Sequence, residues 1–275
     1  MTCGLFLGHL GLGDQILLAP AIHHLATTRG YNKLYVVVKA PYMSTIRHLL
    51  GDPGVAAAAA SVAATERSAI EFLPIRATTS TTEEIAEILA VMKTIASSCQ
   101  SVKMHLSGHF NMQLRDASDF PICFYKQLEI DWAAAATHFV VPCTSKSTLL
   151  AGLLTYIPYI FIHDISSTGP AGAALEVAIN SRRDKYFLVN PEKNMYPIGH
   201  VFYELAEQFL REKKGLTLID YKATIEGAAE LHMITSCYFC FAAGLLGVGA
   251  AVKVAYSRNR DRFPTIAGDW TYVDI

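Results

Sequence analysis

A glycine-rich turn near the start of the chain carries the first residues whose types and spacing could do chemistry. The apolar run 3–7 leads into the turn, and an amphipathic segment begins at Asp14. Glycines in the turn let the backbone approach a ligand where a Cβ atom would clash. This order predicts the first strand, loop and helix of an α/β domain that handles a nucleotide. We expect Asp14 at the N-cap of the helix, where its carboxylate either caps backbone N–H groups or faces a ligand.

Two familiar nucleotide loops fit these residues poorly. Gly8 and Gly13 have the spacing of a P-loop, but Asp14 stands where that motif needs lysine and would repel a triphosphate. A dinucleotide loop needs a third glycine, where this chain has Ile16, and an acid after the second strand, where it has Lys39. A methyltransferase would lack the same acid. A P-loop is therefore disfavoured, whereas a Rossmann-type methyltransferase or an NAD-linked enzyme remains an alternative.

A second set of chemically useful residues follows a buried strand in the other half of the chain. The apolar run 159–162 ends in His163 and Asp164, and the next residues form a hydroxyl-bearing loop that includes Ser166. Ligands of parallel α/β domains bind outside the carboxyl ends of the strands. His163 and this loop are therefore candidates to donate hydrogen bonds to a diphosphate and to stabilise the charge of a leaving group.

Ser236 begins a third set, at the predicted start of a helix. Its hydroxyl and the backbone N–H groups of Cys237 and Tyr238 would form an anion site, since the amino end of a helix offers unpaired donors. The alternative is that Ser236 is only an N-cap. Candidates for contacts with the base or the ribose of a nucleotide are Asn190, Tyr221 and Glu226.

The segment 11–15 (Gly-Leu-Gly-Asp-Gln), with Pro20 on the following helix, resembles the N-terminal loop of GT-B glycosyltransferases. The likeness is strongest to the heptosyltransferase type and looser to the fucosyltransferase type. In heptosyltransferase-like enzymes the aspartate of this loop faces the acceptor. The resemblance therefore implies that Asp14 is the catalytic base, with Gly13 and Gln15 as binding residues of the same loop.

The segment 225–239 is similar to the donor-side signature of the same enzymes, in which a helix, a strand and a small polar residue enclose the nucleotide diphosphate. This resemblance implies that Ser236 contacts the donor. The chain departs from the family pattern, because residues 235–237 read Thr-Ser-Cys in place of Asp-Thr-Gly. Phe241 or its neighbours also stand near the position of the family's histidine. These departures leave the identity of the donor open.

Composition excludes several classes of protein. The chain has 275 residues and a net charge of −1, so no basic excess is present to attract nucleic acid. Its six cysteines are scattered, which predicts a reduced, intracellular protein without a disulfide framework. No signal peptide is visible, and the longest uncharged run falls short of the ~20 residues that span a bilayer. We expect a cytoplasmic protein, with peripheral membrane association left open.

Unbroken apolar strands that alternate with helices predict parallel sheets covered on both faces. We expect an α/β chain of two Rossmann-like domains, 1–150 on the acceptor side and 151–275 on the donor side, with their sheets facing a cleft. In the second half we expect a helix over 198–213, a strand over 216–219 and a last strand over 252–256. The segment 55–64 stays open between a buried helix and a small-residue packing surface.

Together with these observations, the resemblance to GT-B glycosyltransferases implies a metal-independent glycosyltransferase. It would move a sugar from a nucleotide-diphosphate sugar, of UDP or GDP type, to a hydroxyl of a glycan or glycolipid acceptor, with no cofactor. The sequence contains no Asp-x-Asp pair flanked by apolar strands, which disfavours a metal-dependent site. A non-catalytic binder of sugars or nucleotides is a further alternative.

Overall fold

The computed structural model describes residues 1–8, 10–51, 69–78, 80–108, 122–137, 139–167, 169–213, 215–245, 247–258 and 268–275. The alanine-rich segment 55–64 therefore lies outside the described residues. The chain divides into two compact units, 1–142 and 143–275.

The division falls at residue 142 rather than 150, because the helix over 145–152 is bonded into the second unit. Ser147 Oγ accepts a hydrogen bond from the backbone N–H of Ala223 at 2.8 Å. Just before the helix, Thr144 Oγ1 donates to Asp220 Oδ1 at 2.7 Å. The helix therefore packs as part of the second unit.

The first unit is a four-stranded parallel sheet in the order β3-β2-β1-β4. Central strand β1 has Leu5 opposite Tyr35 on one side and Met104 on the other. The strands are β1 (Thr2–Leu7), β2 (Lys33–Lys39), β3 (Ala69–Ile75) and β4 (Ser101–Leu106). The helices are α1 (Leu12–Thr28), α2 (Met43–Leu49, after a 3-10 turn over Ala40–Tyr42), α3 (Thr81–Ser98), α4 (Ile122–Gln127) and α5 (Trp132–Thr137).

One face of this sheet packs against α3. Leu5 and Leu7 of β1 share a buried cluster with Ile88 and Ile95 of the helix. Alternate strand residues point to the same face, so the odd-numbered residues of β1 are the ones that face α3.

A disulfide joins Cys3 of β1 to Cys99, the residue that ends α3. The prediction that all cysteines are reduced was therefore wrong. The two residues are 96 positions apart in sequence, and only the packing of α3 on β1 makes them neighbours. The cytoplasmic location, which rested in part on that expectation, stays a prediction.

The second unit contains a five-stranded parallel sheet in the order β11-β10-β9-β5-β8, and with the first sheet it confirms the predicted parallel α/β architecture. Its strands are β5 (Tyr159–His163), β6 (Ile165–Ser166), β7 (Gly169–Pro170), β8 (Phe187–Val189), β9 (Glu230–Ile234), β10 (Val252–Ser257) and β11 (Thr271–Asp274), of which β6 and β7 form a separate antiparallel hairpin. Its helices are α6 (Ser145–Gly152), α7 (Ala173–Asn180), α8 (Tyr203–Glu212), α9 (Lys222–Glu226) and α10 (Cys237–Ala243). Among the described residues, no helix combines the length and apolarity needed to cross a bilayer.

The apolar run 216–219 was predicted to be a strand, and that prediction was wrong. Its last two residues belong to a 3-10 turn over Leu218–Tyr221. Thr217 and Asp220 form a reciprocal capping box, in which the Thr217 N–H donates to Asp220 Oδ2 at 2.7 Å. A short apolar run does not distinguish strand from helix by itself. The Thr-x-x-Asp pair was the available signal.

Two further boundaries differ from the prediction. Helix α8 begins at Tyr203 instead of 198, because 197–202 form a turn in which the N–H of His200 donates to the carbonyl of Pro197 at 3.1 Å. Strand β10 is followed by β11, which pairs with it in parallel. The strand over 252–256 is therefore not the last one.

Candidate active site

The second sheet has a switch point between β5 and β9. From β5 the chain goes to β8 on one side and then returns to β9 on the other side. Connections leave such neighbours in opposite directions, which opens a crevice at their carboxyl ends. His163 is the last residue of β5, and Ser236 comes two residues after the end of β9. The topology thus brings both predicted residues to the crevice.

His163 and Ser236 are in direct contact there. Ser236 Oγ lies 3.0 Å from His163 Nδ1, and the ring of Tyr238 stacks on the imidazole at a centroid distance of 4.2 Å. Only 5% of His163 is exposed. Burial lowers the pKa of His163 to about 4, so its imidazole is neutral at physiological pH. The arrangement offers an uncharged, oriented hydrogen-bonding ring.

Ser236 occupies the N-cap position of α10, but its side chain makes no capping hydrogen bond. Its backbone is extended (φ −152°, ψ −177°), unlike the sharp, strained turn that holds the serine of an α/β-hydrolase. The hydroxyl is therefore used by His163 instead of by the helix. Helix α10 has seven residues, and an anion site at its first amides, those of Cys237 and Tyr238, stays a prediction.

The Cys237-x-x-Cys240 pair is not a disulfide, because both cysteines keep their thiols. Burial raises the pKa of the Cys237 thiol, which disfavours the reactive thiolate. Among the described residues, no group of three or more His, Cys, Asp and Glu side chains could hold a metal ion.

Asp164, which follows β5, is neutralised by a lysine that the sequence analysis missed. Lys193 Nζ lies 2.5 Å from Asp164 Oδ2, and Asn190 Nδ2 donates to Oδ1 at 2.9 Å. Burial alone would raise the pKa of Asp164, but these hydrogen bonds lower it overall. The Lys193 side chain is 50% exposed. It brings a solvent-accessible cation to the carboxyl end of the sheet.

Asn190 uses both ends of its side chain within the protein. Its Oδ1 accepts from the backbone N–H of Glu192 at 2.7 Å while its Nδ2 holds Asp164. The Asn190 side chain therefore shapes the turn after β8, and direct contact with a nucleotide stays a prediction. A lysine four residues beyond the end of β8 was the only signal for Lys193 in the sequence, and that spacing is not distinctive.

Ser166 lies in the hairpin formed by β6 and β7. Its Oγ donates to the carbonyl of Gly169 at 3.2 Å. The guanidinium of Arg258, which follows β10, donates to the carbonyl of Pro170. This hydrogen bond connects the hairpin, which follows β5, to the end of β10, and β9 lies between these two strands in the sheet.

Tyr221 and Glu226 are separated by the structure. Tyr221 is buried beside Phe161 and Tyr238, with ring centroids at 6.1 Å and 5.5 Å, and supports the ring that stacks on His163. Glu226 ends α9 and pairs with Lys222 at 2.7 Å.

Gly227, the residue after Glu226, shows at which end of the sheet Glu226 lies. A Cβ atom on Gly227 would lie 2.8 Å from the hydroxyl of Tyr159, the first residue of β5. Glu226 is therefore at the opposite end of β5 from His163. The structure does not bring it to the cluster of His163, Ser236 and Tyr238.

Asp14 lies beside the switch point of the first sheet, where β2 and β3 extend to one side of β1 and β4 lies on the other. The N-cap of α1 is Gly11, which makes Asp14 the third residue of the helix and Gly13 the second. The prediction of an N-cap at Asp14 was therefore wrong. A carboxylate in the first helical turn is stabilised by the helix dipole. Asp14 is partly exposed, as a base that meets a substrate must be.

Gln15 points the other way, into the sheet. It is 4% exposed, and its Nε2 donates to the carbonyl of Val37 on β2 at 3.4 Å. Its Oε1 is buried and has no hydrogen-bond partner among the described residues. Binding of a ligand by Gln15 stays a prediction that this geometry does not favour.

Comparison with known proteins gives a fold. No protein-family model matches the sequence, and no curated protein matches it. The solved structure of a glycosyl transferase family 9 protein from Veillonella parvula superposes with a TM-score of 0.58 at 11% identity, covering 100% of this chain and 86% of that one. The ADP-heptose lps heptosyltransferase II of E. coli superposes with a TM-score of 0.57 at 11% identity, covering 99% and 90%. This chain has their fold.

The fold agrees with the heptosyltransferase side of the sequence resemblance. The looser likeness to fucosyltransferases finds no support in these structures.

Proposed function

We propose that the protein is a glycosyltransferase that moves a sugar from a nucleotide-diphosphate sugar to an acceptor hydroxyl. The observation that carries the proposal is the contact between His163 and Ser236 at the switch point of the second sheet. That is where ligands bind in open parallel sheets, and the whole chain has the fold of glycosyltransferases. Because the fold match covers both units, it favours an enzyme that uses both of them over one that uses only the nucleotide-binding loop of the first.

In this proposal the second unit binds the donor. His163 donates a hydrogen bond to a phosphate oxygen, and Ser236 positions the ring. Lys193 supplies a positive charge at the same edge of the sheet. Together they stabilise the negative charge that develops on the departing nucleotide diphosphate, which is the largest electrostatic demand of the reaction. Because the residues of this chain supply a cation and a donor, the proposed reaction does not require a metal ion.

The first unit contributes the base. Asp14 removes the proton of the acceptor hydroxyl as that oxygen attacks the anomeric carbon of the donor sugar, and the bond to the diphosphate breaks. The proposed acceptor is a glycan or a glycolipid, and the proposed location is the cytoplasm, with association at a membrane surface left open. Lys39, at the position where a dinucleotide-binding strand carries an acid, is paired with Glu84 at 2.7 Å, which gives the NAD alternative no support.

The test is a thermal-shift screen followed by a turnover assay. A nucleotide that binds the folded state raises the melting temperature in proportion to its saturation. We expect a response to one of the ADP-, UDP- or GDP-sugars and none to S-adenosylmethionine or NAD. ADP is included because one of the superposed enzymes uses ADP-heptose. A response to S-adenosylmethionine or NAD alone would overturn the proposal, and binding without transfer or hydrolysis would favour a non-catalytic binder.

A further inference from the structure

The hydrogen bond between Ser236 and His163 has a consequence for the tautomer of the ring. We propose that Ser236 is a positioning residue that holds the neutral imidazole of His163 in its Nε2–H form, so that the second ring nitrogen is a hydrogen-bond donor to an anionic oxygen. The identity of that oxygen, on the nucleotide diphosphate, rests on the proposed function. The choice of tautomer rests on it in part, because the contact alone allows Ser236 Oγ either to donate to Nδ1 or to accept from it. The tautomer is measured without ligand, so its failure is distinguishable from failure of the proposed function.

The Ser236 hydroxyl contacts the imidazole ring and does not cap the helix. A serine at an N-cap normally accepts from backbone N–H groups two or three residues ahead, and Ser236 makes no such bond. Its Oγ instead lies 3.0 Å from His163 Nδ1. A neutral imidazole carries one donor and one acceptor nitrogen. When the hydroxyl donates to Nδ1, the ring proton must reside on Nε2.

The ring of His163 is held in one orientation by its neighbours. Tyr238 stacks on it with an interplanar angle of 29°, and Tyr221 in turn supports Tyr238 from a centroid distance of 5.5 Å. A ring clamped in this way keeps Nδ1 towards Ser236 and presents Nε2 on its other edge. No described residue hydrogen-bonds Nε2 of His163. This nitrogen is therefore the one left for a ligand.

Electrostatics favours the same tautomer when the ligand is an anion. A lone pair on Nε2 would repel an anionic oxygen, whereas an N–H group there attracts it. Because burial keeps the imidazole uncharged, the ring contributes direction and not charge, and the charge comes from Lys193. Histidine tautomers in binding sites are commonly set by the bond that the other ring nitrogen makes.

The chain offers a matched control in Ser257. This serine is fully buried at the carboxyl end of β10, the strand next to β9, and its Oγ has no partner among the described residues. Ser257→Ala removes the same hydroxyl from the same edge of the sheet without touching His163. Ser236→Thr keeps a hydroxyl at position 236, whereas Ser236→Ala removes it.

The experiment is a two-bond ¹H–¹⁵N correlation spectrum of the histidine side chains of the uniformly ¹⁵N-labelled full chain, without ligand, at pH 7. His163→Gln identifies the signals. We expect the native protein, Ser236→Thr and Ser257→Ala to show His163 as a single Nε2–H tautomer, and Ser236→Ala to show both tautomers in exchange. Circular dichroism confirms that each variant is folded. An Nδ1–H tautomer in the native protein, or an unchanged tautomer in folded Ser236→Ala, would overturn the inference.

A second arm adds ADP, UDP or GDP to the same samples. We expect one of them to shift the Nε2 and attached proton signals of His163 in the native protein, and Ser236→Ala to bind it several-fold more weakly while Ser257→Ala does not. No response to any of the three would overturn the proposed function and leave the tautomer result standing. Mixed tautomers in the native protein would overturn the inference and leave the proposed function standing.

Discussion

Lys193 Nζ lies 2.5 Å from Asp164 Oδ2, so the carboxylate that follows β5 already has its countercharge within the protein. An unpaired carboxylate at this position would repel a diphosphate. Paired with Lys193 and Asn190, it instead holds a half-exposed ammonium at the edge of the sheet where ligands bind. Asp164 thus holds Lys193 in place, and direct contact of Asp164 with a ligand stays a prediction.

Lys193→Gln should weaken nucleotide binding about ten-fold. A hydrogen bond to a charged group contributes about 1.5–3 kcal/mol, and each 1.4 kcal/mol corresponds to about a factor of ten. Isothermal titration calorimetry with the nucleotide that responds in the thermal-shift screen measures the change. The affinity of the variant should also depend less on salt, because one charge pair is lost.

Lys222→Gln is the matched control for Lys193. Lys222 is also paired with a carboxylate, that of Glu226, but at the other end of β5. Its replacement should leave nucleotide affinity unchanged. Equal affinities for the native protein and Lys193→Gln would remove Lys193 from the proposed site.

Asp14→Asn should abolish transfer while leaving donor binding intact. A general base contributes about 10²–10⁴-fold to a rate, and asparagine keeps the shape of the side chain without the basic oxygen. Initial rates of sugar transfer and calorimetric donor affinity are measured on the same preparation. Retained transfer would show that another group accepts the proton.

The control for Asp14 is Asp131→Asn in the same unit. Asp131 Oδ1 accepts from the backbone N–H of Ala134 at 2.7 Å at the start of α5, which is a capping role. Asparagine caps helices about as well as aspartate, so this variant should keep both stability and transfer.

Stability should fall as the pH is lowered from about 6.5 towards 4. Burial lowers the pKa of both His163 and His105 to about 4, whereas an unfolded histidine titrates near 6.5. Between these values the unfolded chain binds more protons, so stability rises with pH through this window and is lost as pH falls. Over this pH window, each histidine lowers the free energy of unfolding by on the order of 3 kcal/mol at most.

Urea denaturation at pH 4.5, 5.5 and 7 measures this dependence. His163→Gln and His105→Gln should each flatten the slope of stability against pH, and the double variant should flatten it further. His105 reaches Tyr31, whose hydroxyl lies 2.7 Å from Nε2, so His105→Gln should also lower stability at pH 7. A native-like slope in both single variants would contradict the assignment.

Reduction of Cys3–Cys99 should destabilise the first unit by about 2–4 kcal/mol, since a crosslink over a long stretch of chain restricts the unfolded state. Thiol titration of the denatured, unreduced protein should detect four thiols, those of Cys123, Cys143, Cys237 and Cys240. Cys99→Ser should show the same loss of stability, and Cys143→Ser, at an exposed cysteine, should not. Six thiols before reduction would show that the bond is absent.

The sequence predicted the parallel α/β architecture because buried parallel strands read as unbroken apolar runs, as in β2 and β5. It failed where a local pattern was compatible with two structures. The run 216–219 is apolar enough for a strand, but the capping box of Thr217 and Asp220 stabilises a turn there instead. The helix at Asp14 begins three residues earlier because glycine can serve as an N-cap without a side chain.

The candidate site divides in the same way. His163 and Ser236 were predictable because both stand at strand ends, where parallel topology brings side chains together. Their direct contact, the Lys193 pair and the Cys3–Cys99 bond join residues that are 73, 29 and 96 positions apart. Spacing in one sequence contains no information on such distances. Glu226 is close in sequence to β9 but precedes it, and it therefore lies at the amino end of the strands, away from His163 and Ser236.

Thr144 and Ser147 form hydrogen bonds with Asp220 and Ala223. These bonds determine where the chain could be joined to that of a relative in a chimera. A chimera joined at residue 150 would cut through α6 and would take Thr144 and Ser147 from one parent but Asp220 and Ala223 from the other. A chimera joined at 142 keeps them together. A boundary at residue 142 therefore keeps α6 in the unit to which it is hydrogen-bonded.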